Sequence, residues 1–133
     1  DRVIQDGESV RLGNLTLFAI ATPGHTPGAL SWRWGTCDGG ICRQIVYADS
    51  LSPVSRDDYR FSDHPDYLAA FRASMAKIGA LDCDILLTPH PSASKMVERL
   101  GRARLDDPNQ CRDYAAALSK TLDERLAKEA AAK

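Results

Sequence analysis

The 133-residue sequence lacks the long apolar run of a membrane span and lacks an excess of either charge. No apolar stretch approaches the ~20 residues of a transmembrane helix. Seventeen basic and 18 acidic residues leave a net charge of −1, so nothing indicates a nucleic-acid partner or an anionic membrane surface. Because 44% of the residues are hydrophobic, the chain has enough apolar side chains for the core of one domain.

Two common site signatures are also absent. The cysteines form no CxxC pair and no histidine stands at finger spacing, which argues against a structural zinc knuckle. Without a Gly-x-Ser-x-Gly elbow, a triad of Ser50 with Asp49 and either His25 or His90 is disfavoured. The chain also opens with strand-like residues (DRVI) rather than a signal peptide, so we expect a fragment or a mature piece of a longer protein.

The four cysteines are even in number and are placed in two pairs. Cys37 and Cys42 enclose a turn between predicted strands, whereas Cys83 opens a strand and Cys111 opens a helix. We therefore predict two disulfides, of which the second ties the C-terminal helix to the sheet, and an oxidising compartment such as the periplasm. The alternative is a cytosolic protein with buried thiols, which a free-thiol count on denatured, unreduced protein distinguishes.

The first third of the chain has the pattern of an antiparallel sheet. Asp6-Gly7 is a hairpin turn signal, and apolar runs or alternating residues predict strands over residues 8–12, Leu15–Ala21, 29–34 and 43–48. Residues 35–42 are interpreted as a loop. Neighbouring strands with short turns predict a β meander rather than a Rossmann unit.

The rest of the chain predicts helices around one further strand. A helix starts near residues 63–66, and its apolar residues recur at helical spacing, so we interpret them as core rather than as a cofactor box. A buried strand follows at residues 83–87, then a helix at 94–100, then a last helix with Asp107 as N-cap and Pro108 at its first position. The core residues of the first helix are Leu68, Phe71, Met75 and Ile78.

Two of the three histidines lie in stiff turns that follow strands. His25 lies in TPGHTPG (residues 22–28) and His90 in TPHP (88–91). Proline fixes φ near −65° and glycine permits unusual angles, so each loop presents one imidazole rigidly. Neutral imidazole is the commonest metal ligand. Asp49 is the best candidate within this chain for a third ligand, which would bind through oxygen. His64 is interpreted as a helix-start residue.

Three motifs in this order resemble subclass B3 of the metallo-β-lactamases. They are residues 22–28 (TPGHTPG), 47–52 (YADSLS) and 86–91 (LLTPHP), and the resemblance covers essentially the whole chain. The two cysteine pairs resemble the disulfides of secreted B3 members. The resemblance implies an αβ/βα sandwich of which this chain supplies the C-terminal half, a mostly antiparallel sheet with covering helices.

The resemblance also implies functional roles. His25 and His90 are expected to be catalytic metal ligands, one in each site of a two-Zn²⁺ centre that supplies activated water to hydrolyse the β-lactam amide of penicillins, cephalosporins and carbapenems. Ser50 and Ser52 are expected to hold the substrate carboxylate, directly or through water, and Asp49 is a lesser candidate ligand. The implied protein is a periplasmic or secreted bacterial enzyme of antibiotic resistance, monomeric when intact.

The upstream HxHxDH motif that supplies the family's other ligands is absent, since His25 is the first histidine of the chain. We therefore expect the isolated chain to be inactive and to need the N-terminal half of the same enzyme as its partner. Within the half-domain of residues 1–133, we distinguish a β meander with the His25 loop (1–52) from a mixed part with the His90 turn and the C-terminal helix (53–133).

Two alternatives remain open from the sequence. One is another hydrolase of the same fold, such as a thioesterase, lactonase or nuclease, because fold does not determine function. The other is a non-catalytic, disulfide-bonded domain that binds a partner.

Overall fold

The computed structural model describes residues 2–102 and 105–132 and contains one five-stranded sheet with the order β1-β2-β3-β4-β5. Strands β1 to β4 form an antiparallel meander, and β5 pairs parallel with β4. The predicted meander is therefore confirmed, and a helical crossover adds the fifth strand from the second part of the chain. The strands are β1 (Ser9–Leu12), β2 (Leu15–Ala21), β3 (Leu30–Asp38), β4 (Ile41–Tyr47) and β5 (Ile85–Leu87).

Three α-helices lie in the second part of the chain: α1 (Pro65–Gly79), α2 (Met96–Gly101) and α3 (Gln110–Ala131). Short 3₁₀ turns at Phe61–Asp63 and Pro91–Ser94 precede α1 and α2. A Cβ added to Gly79 would lie 3.0 Å from the Cβ of Ala115, so this glycine lets α1 and α3 approach closely. The core between the two helices and the sheet includes Val46, Leu86, Phe71, Met75, Ile78, Leu118 and Leu122.

Two predicted boundaries of the sheet are wrong. Residues 2–5 form no strand, so Asp6-Gly7 is a turn without a hairpin before β1. Residues 35–42 are not a loop, because β3 continues to Asp38 and β4 begins at Ile41. Gly39 and Gly40 both take positive φ, +54° and +83°, which lets a two-residue turn close this hairpin.

The predicted start of the last helix is also wrong. Helix α3 begins at Gln110, with Asn109 in the N-cap position and no side-chain capping bond. The carboxylate of Asp107 instead accepts a hydrogen bond from the Asn109 backbone N–H at 2.9 Å. Asp107 and Pro108 therefore form a turn that precedes the helix, because an Asp side chain bonds equally well to the backbone of a turn.

The two faces of the sheet differ in their cover. Val46 and Leu86, opposite each other in β4 and β5, point into the helical core and are 0% and 1% exposed. On the other face, Trp32, Tyr47 and Leu87 lie in one row across three strands, and each remains partly exposed. The other residues of this uncovered apolar face include Leu15, Leu17, Leu30, Trp34, Ile45 and Ile85.

Both predicted disulfides are present. Cys37 and Cys42 face each other across the β3–β4 hairpin, and Cys83 and Cys111 join the start of β5 to the first turn of α3. No cysteine remains as a free thiol. Within the described residues, no helix combines the length and the apolarity needed to cross a bilayer.

Candidate active site

The three sequence motifs meet at one edge of the sheet. Strand β2 is antiparallel to β3 and β3 to β4, so β2 and β4 run in the same direction, and β5 runs parallel with β4. The carboxyl ends of these three strands therefore lie at the same edge. The loop with His25 follows β2, residues 48–52 follow β4, and the turn with His90 follows β5.

The His25 loop is closed by its own backbone and is held to the β4 end through the imidazole. Thr22 N–H donates to the Ala29 carbonyl at 3.0 Å, and Gly24 N–H donates to the Thr26 carbonyl at 3.1 Å. His25 is exposed, and its Nδ1 lies 3.1 Å from the Ser52 carbonyl oxygen. Because a carbonyl only accepts, this contact requires a proton on Nδ1 and leaves the Nε2 lone pair of the neutral ring for a metal ion.

The segment after β4 is held by buried hydroxyl groups. The Ser31 Oγ, fully buried, accepts from the Asp49 N–H at 3.0 Å and bonds to the Thr22 hydroxyl at 2.8 Å. The Asp49 carboxylate accepts from the Ser50 N–H at 2.7 Å. Ser50 is only 6% exposed, whereas Ser52 is half-buried, so Ser52 is the more accessible of the two predicted substrate-binding hydroxyls.

The His90 turn is held by a hydrogen-bonded chain that ends on Arg99. Thr88 Oγ1 donates to the His90 carbonyl at 3.0 Å and contacts the Ser94 hydroxyl at 2.8 Å. Arg99 donates through Nε to the Ser94 carbonyl at 3.1 Å and through Nη2 to the Leu86 carbonyl at 2.7 Å. Its Nη1 also contacts the Gln110 amide oxygen of α3. His90 itself is exposed.

The structure places two candidate metal ligands, His25 and His90, at this edge. Across residues 2–102 and 105–132, no three His, Cys, Asp or Glu side chains lie together as a set that could hold a metal ion. The donors nevertheless fit zinc, because His25 is exposed with its Nδ1 engaged and His90 is exposed at the same edge. His64 is not in the site: its ring stacks on Tyr59, with centroids 4.8 Å apart, at the start of α1.

A groove of about 370 Å³ runs beside His25. Its walls are the His25 loop, the segment after Pro53 and the start of α1, with the rings of Tyr59, Phe61 and Tyr67. The sequence predicted no functional role for the segment after Pro53, which is irregular and rich in charge.

Sequence reasoning missed the side chains that hold the His25 loop from helix α1. Tyr67 and Ser74 of α1 donate to carbonyls of this loop. The available signal was the seven-residue spacing of Tyr67 and Ser74, which places them on the same helical face as Phe71.

Burial is the largest cause of the pKa shifts around the loops. It raises the pKa of Tyr67 and of Tyr114, which keeps both phenols protonated, and it lowers the pKa of Arg99. At the sheet edge, the Ala21 N–H holds the pKa of Asp6 below its usual range, with a further contribution from Lys77. None of these groups carries the candidate chemistry.

The chain matches no protein-family model, but it superposes closely on solved metallo-β-lactamases. The MIM-2 metallo-β-lactamase is 55% identical with a TM-score of 0.89, over 96% of this chain and 47% of that one. MIM-1 from Novosphingobium pentaromativorans is 50% identical with a TM-score of 0.92, over 98% of this chain and 48% of that one. MEM-A1, a subclass B3 enzyme from a soil metagenome library, is 40% identical with a TM-score of 0.94, over 99% of this chain and 53% of that one.

These matches define the class of protein. The chain has the metallo-β-lactamase fold and spans about half the length of each of these solved chains. Its mixed five-stranded sheet with covering helices corresponds to the C-terminal half of that fold. Within that class, the chain belongs to the subclass B3 metallo-β-lactamase family, as the resemblance of its three motifs predicted.

Proposed function

We propose that this chain supplies the C-terminal part of the active site of a zinc-dependent β-lactam hydrolase. One observation carries the proposal: the β2, β4 and β5 ends place His25, Ser52 and His90 at a single sheet edge, with the His25 Nδ1 on the Ser52 carbonyl. Similarity to subclass B3 enzymes of up to 55% identity supports it. The substrates would be penicillins, cephalosporins and carbapenems.

In this proposal, His25 and His90 each hold one of two zinc ions, and the rest of the enzyme supplies the remaining ligands. Bound zinc acts as a Lewis acid that polarises a carbonyl group and lowers the pKa of water to about 7. The Ser52 carbonyl keeps the His25 proton on Nδ1 and so fixes the tautomer that can bind metal. Asp49 has its carboxylate on the Ser50 N–H and remains the lesser candidate.

The substrate carboxylate is assigned to the hydroxyls after β4. The half-buried Ser52 would donate to it directly, whereas Ser50, at 6% exposure, would act through water. The Ser50 hydroxyl lies 3.5 Å from the Ser52 N–H, so the two residues form one unit. No serine nucleophile would be needed, because bound zinc would supply the nucleophile as activated water.

The partner of this chain would be the N-terminal half of the same enzyme, packed on the uncovered apolar face. Trp32, Trp34, Ile45 and Tyr47 form its centre and stay partly exposed despite their size. Monomeric soluble proteins rarely leave so large an apolar patch uncovered. A second sheet stacked about 10 Å away would bury it, as in a sandwich. The intact enzyme would then be a monomer.

The two disulfides support a periplasmic or secreted location in a bacterium, where oxidising conditions preserve them. A β-lactam hydrolase in that compartment would protect the cell wall enzymes and confer antibiotic resistance.

The test joins this chain to the part of MIM-2 that it does not match, loads the chimera with zinc and follows the loss of β-lactam ultraviolet absorbance. We expect hydrolysis of all three β-lactam classes, and a fall of kcat/KM by at least about 100-fold in His25→Ala or His90→Ala. His64→Ala is the matched control and should leave the rate unchanged, because His64 packs on the ring of Tyr59 and does not itself line the groove beside His25.

Three outcomes would overturn the proposal. They are a zinc-loaded chimera that cleaves no β-lactam, one that cleaves only thioesters, lactones or phosphodiesters, and unchanged rates in both histidine variants. The 133-residue chain alone should show no hydrolysis and only weak zinc binding by calorimetry. Tight binding of zinc by that chain would favour an independent, non-catalytic domain.

A further inference from the structure

Helix α1 presents one row of polar donors to the His25 loop. The Tyr67 hydroxyl donates to the Gly24 carbonyl at 2.8 Å, and the Ser74 hydroxyl donates to the Pro23 carbonyl at 2.7 Å. Pro23 and Gly24 are the two residues that immediately precede His25. Positions seven apart in an α-helix lie on the same face two turns along, so a single helix face reaches both carbonyls.

The loop depends on these donors because its composition gives it few of its own. Pro23 and Pro27 have no N–H, so the loop has fewer backbone donors than carbonyls. The N–H groups of Thr22 and Gly24 are already used within the loop, on Ala29 and Thr26. The carbonyls of Pro23 and Gly24 are therefore satisfied from α1.

Close packing by Phe71, which lies between Tyr67 and Ser74 on α1, reinforces the contact of this helix with the loop. The Phe71 ring lies against the buried Gly24 so closely that a Cβ on this glycine would be 2.2 Å from Cδ2 and 2.4 Å from Cε2. Real Cβ atoms do not approach other atoms at such distances, so only glycine fits without displacing the ring. The backbone before His25 is thus held by two hydrogen bonds and by a ring between them.

Ser74 is difficult to explain as a core residue alone. It is 1% exposed, and serine lowers helix propensity relative to alanine. Its single hydroxyl proton has two acceptors, the Ala70 carbonyl of its own helix at 3.0 Å and the Pro23 carbonyl at 2.7 Å. The shorter contact is the one to the loop.

We propose that Tyr67 and Ser74, with Phe71 packed on Gly24, are positioning residues that set the orientation of the His25 imidazole. The backbone before His25 is held from α1, and the far end of the side chain is held by the Ser52 carbonyl. Two fixed points leave the ring little freedom to rotate. The consequence for metal binding rests on the proposed function, but the orientation itself does not.

The test of orientation uses the metal-free 133-residue chain and side-chain ¹⁵N NMR of His25 at a pH where the ring is neutral. The parent chain should show the Nδ1–H tautomer. Tyr67→Phe and Ser74→Ala each remove one donor and should shift His25 toward a mixture of tautomers, and the double variant should shift it further. Tyr59→Phe is the matched control, because its ring lines the same groove while its hydroxyl donates to no loop carbonyl.

A second set of variants tests the contact between α1 and the loop by adding bulk instead of removing a donor. Gly24→Ala should displace the loop from Phe71 and disturb the His25 signal, whereas Gly24→Ala combined with Phe71→Leu should recover much of it by removing the clashing ring atoms. Simple destabilisation would instead make the two changes add. Circular dichroism confirms that each variant is folded.

Metal affinity supplies the second measurement, by cobalt(II) absorption in the chimera with the MIM-2 half. Tyr67→Phe and Ser74→Ala should each weaken cobalt binding about tenfold, as outer contacts of a metal ligand do. An unchanged His25 tautomer in both single variants and in the double variant would overturn the inference. A parent chimera that binds no cobalt would contradict the proposed function instead, and the NMR result would still decide the inference.

Discussion

The carboxylate of Glu129 joins the end of α3 to the 3₁₀ turn before α1, and its removal gives the sharpest stability prediction. Glu129 is 5% exposed and accepts from the Phe61 N–H at 3.1 Å, the Ser62 N–H at 3.0 Å and the Arg125 Nε at 3.0 Å. Burial alone would raise the pKa of Glu129. The Ser62 N–H, the Arg125 guanidinium and the Phe61 N–H outweigh it and lower the pKa from 4.5 to about 2.

The magnitude follows from this shift. A pKa lowered from 4.5 to about 2 corresponds to about 3.5 kcal/mol of stability, at about 1.4 kcal/mol per pKa unit. Glu129 also borders an open, charged cavity with Arg60 and Lys128, where water screens the interaction, so we expect about half of this value. Glu129→Gln keeps one carbonyl oxygen for an N–H and should therefore cost about 1.5–2 kcal/mol near neutral pH.

The pH dependence follows from the direction of the shift. A carboxyl group with a lowered folded-state pKa contributes fully above its unfolded pKa of 4.5, and this contribution disappears as the pH falls toward about 2. The glutamine variant does not titrate. The stability difference between the parent chain and Glu129→Gln should therefore be constant above about pH 5.5 and shrink steadily below 4.5.

Urea unfolding followed by circular dichroism at constant ionic strength measures this difference. Glu124→Gln is the matched control on the same helix, because Glu124 is exposed and its ion pair with Lys120 is long, at 4.0 Å. It should change stability by less than about 0.5 kcal/mol at every pH. A Glu129→Gln difference that does not depend on pH, or that is no larger than the control at neutral pH, would refute the reasoning.

Three further predictions concern the loops and the cross-links. Replacing both Cys83 and Cys111 with serine should lower the free energy of unfolding by about 3.5 kcal/mol, because this disulfide closes a loop of 28 residues. Replacing both cysteines of the hairpin disulfide should lower it by about 2 kcal/mol, and a larger loss for the hairpin in urea unfolding would contradict this reasoning. Arg99→Met should speed amide hydrogen exchange around His90 and lower the free energy of unfolding by about 2 kcal/mol, because it removes the bonds to two carbonyls. Unchanged exchange around His90 would show that these bonds are dispensable. Ser31→Ala should cost about 1–3 kcal/mol in urea, because it leaves buried groups unpaired; a cost below about 0.5 kcal/mol would exclude that role.

Much of the fold could be predicted because its signals are local. A strongly apolar run predicted β2, and helical spacing of Phe71 and Ile78 predicted α1. The errors occurred where two local signals compete. Asp107 followed by Pro108 is a good helix start and an equally good turn, and the turn is what forms. Gly39 and Gly40 suggested a loop although they close a hairpin.

The candidate site was predicted in part. The stiff turns predicted His25 and His90 as metal ligands, which stays a prediction, and both predicted disulfides are confirmed. The sequence did not predict that Ser50 is buried while Ser52 is accessible, or that the Ser52 carbonyl meets the His25 ring. Those facts depend on how residues 27 positions apart are brought together, which no local pattern encodes.

The sequence by itself determined the family, through its three motifs, and the stiff turns at His25 and His90, because prolines and glycines next to a strand restrict the backbone locally. The tertiary structure decided what holds them. Tyr67 and Ser74 reach the His25 loop from 43 and 51 residues away, and their partners are backbone carbonyls. A carbonyl is the same in every residue, so the acceptor leaves no trace in the sequence. Only the packing of α1 against the sheet edge selects which carbonyls are bound.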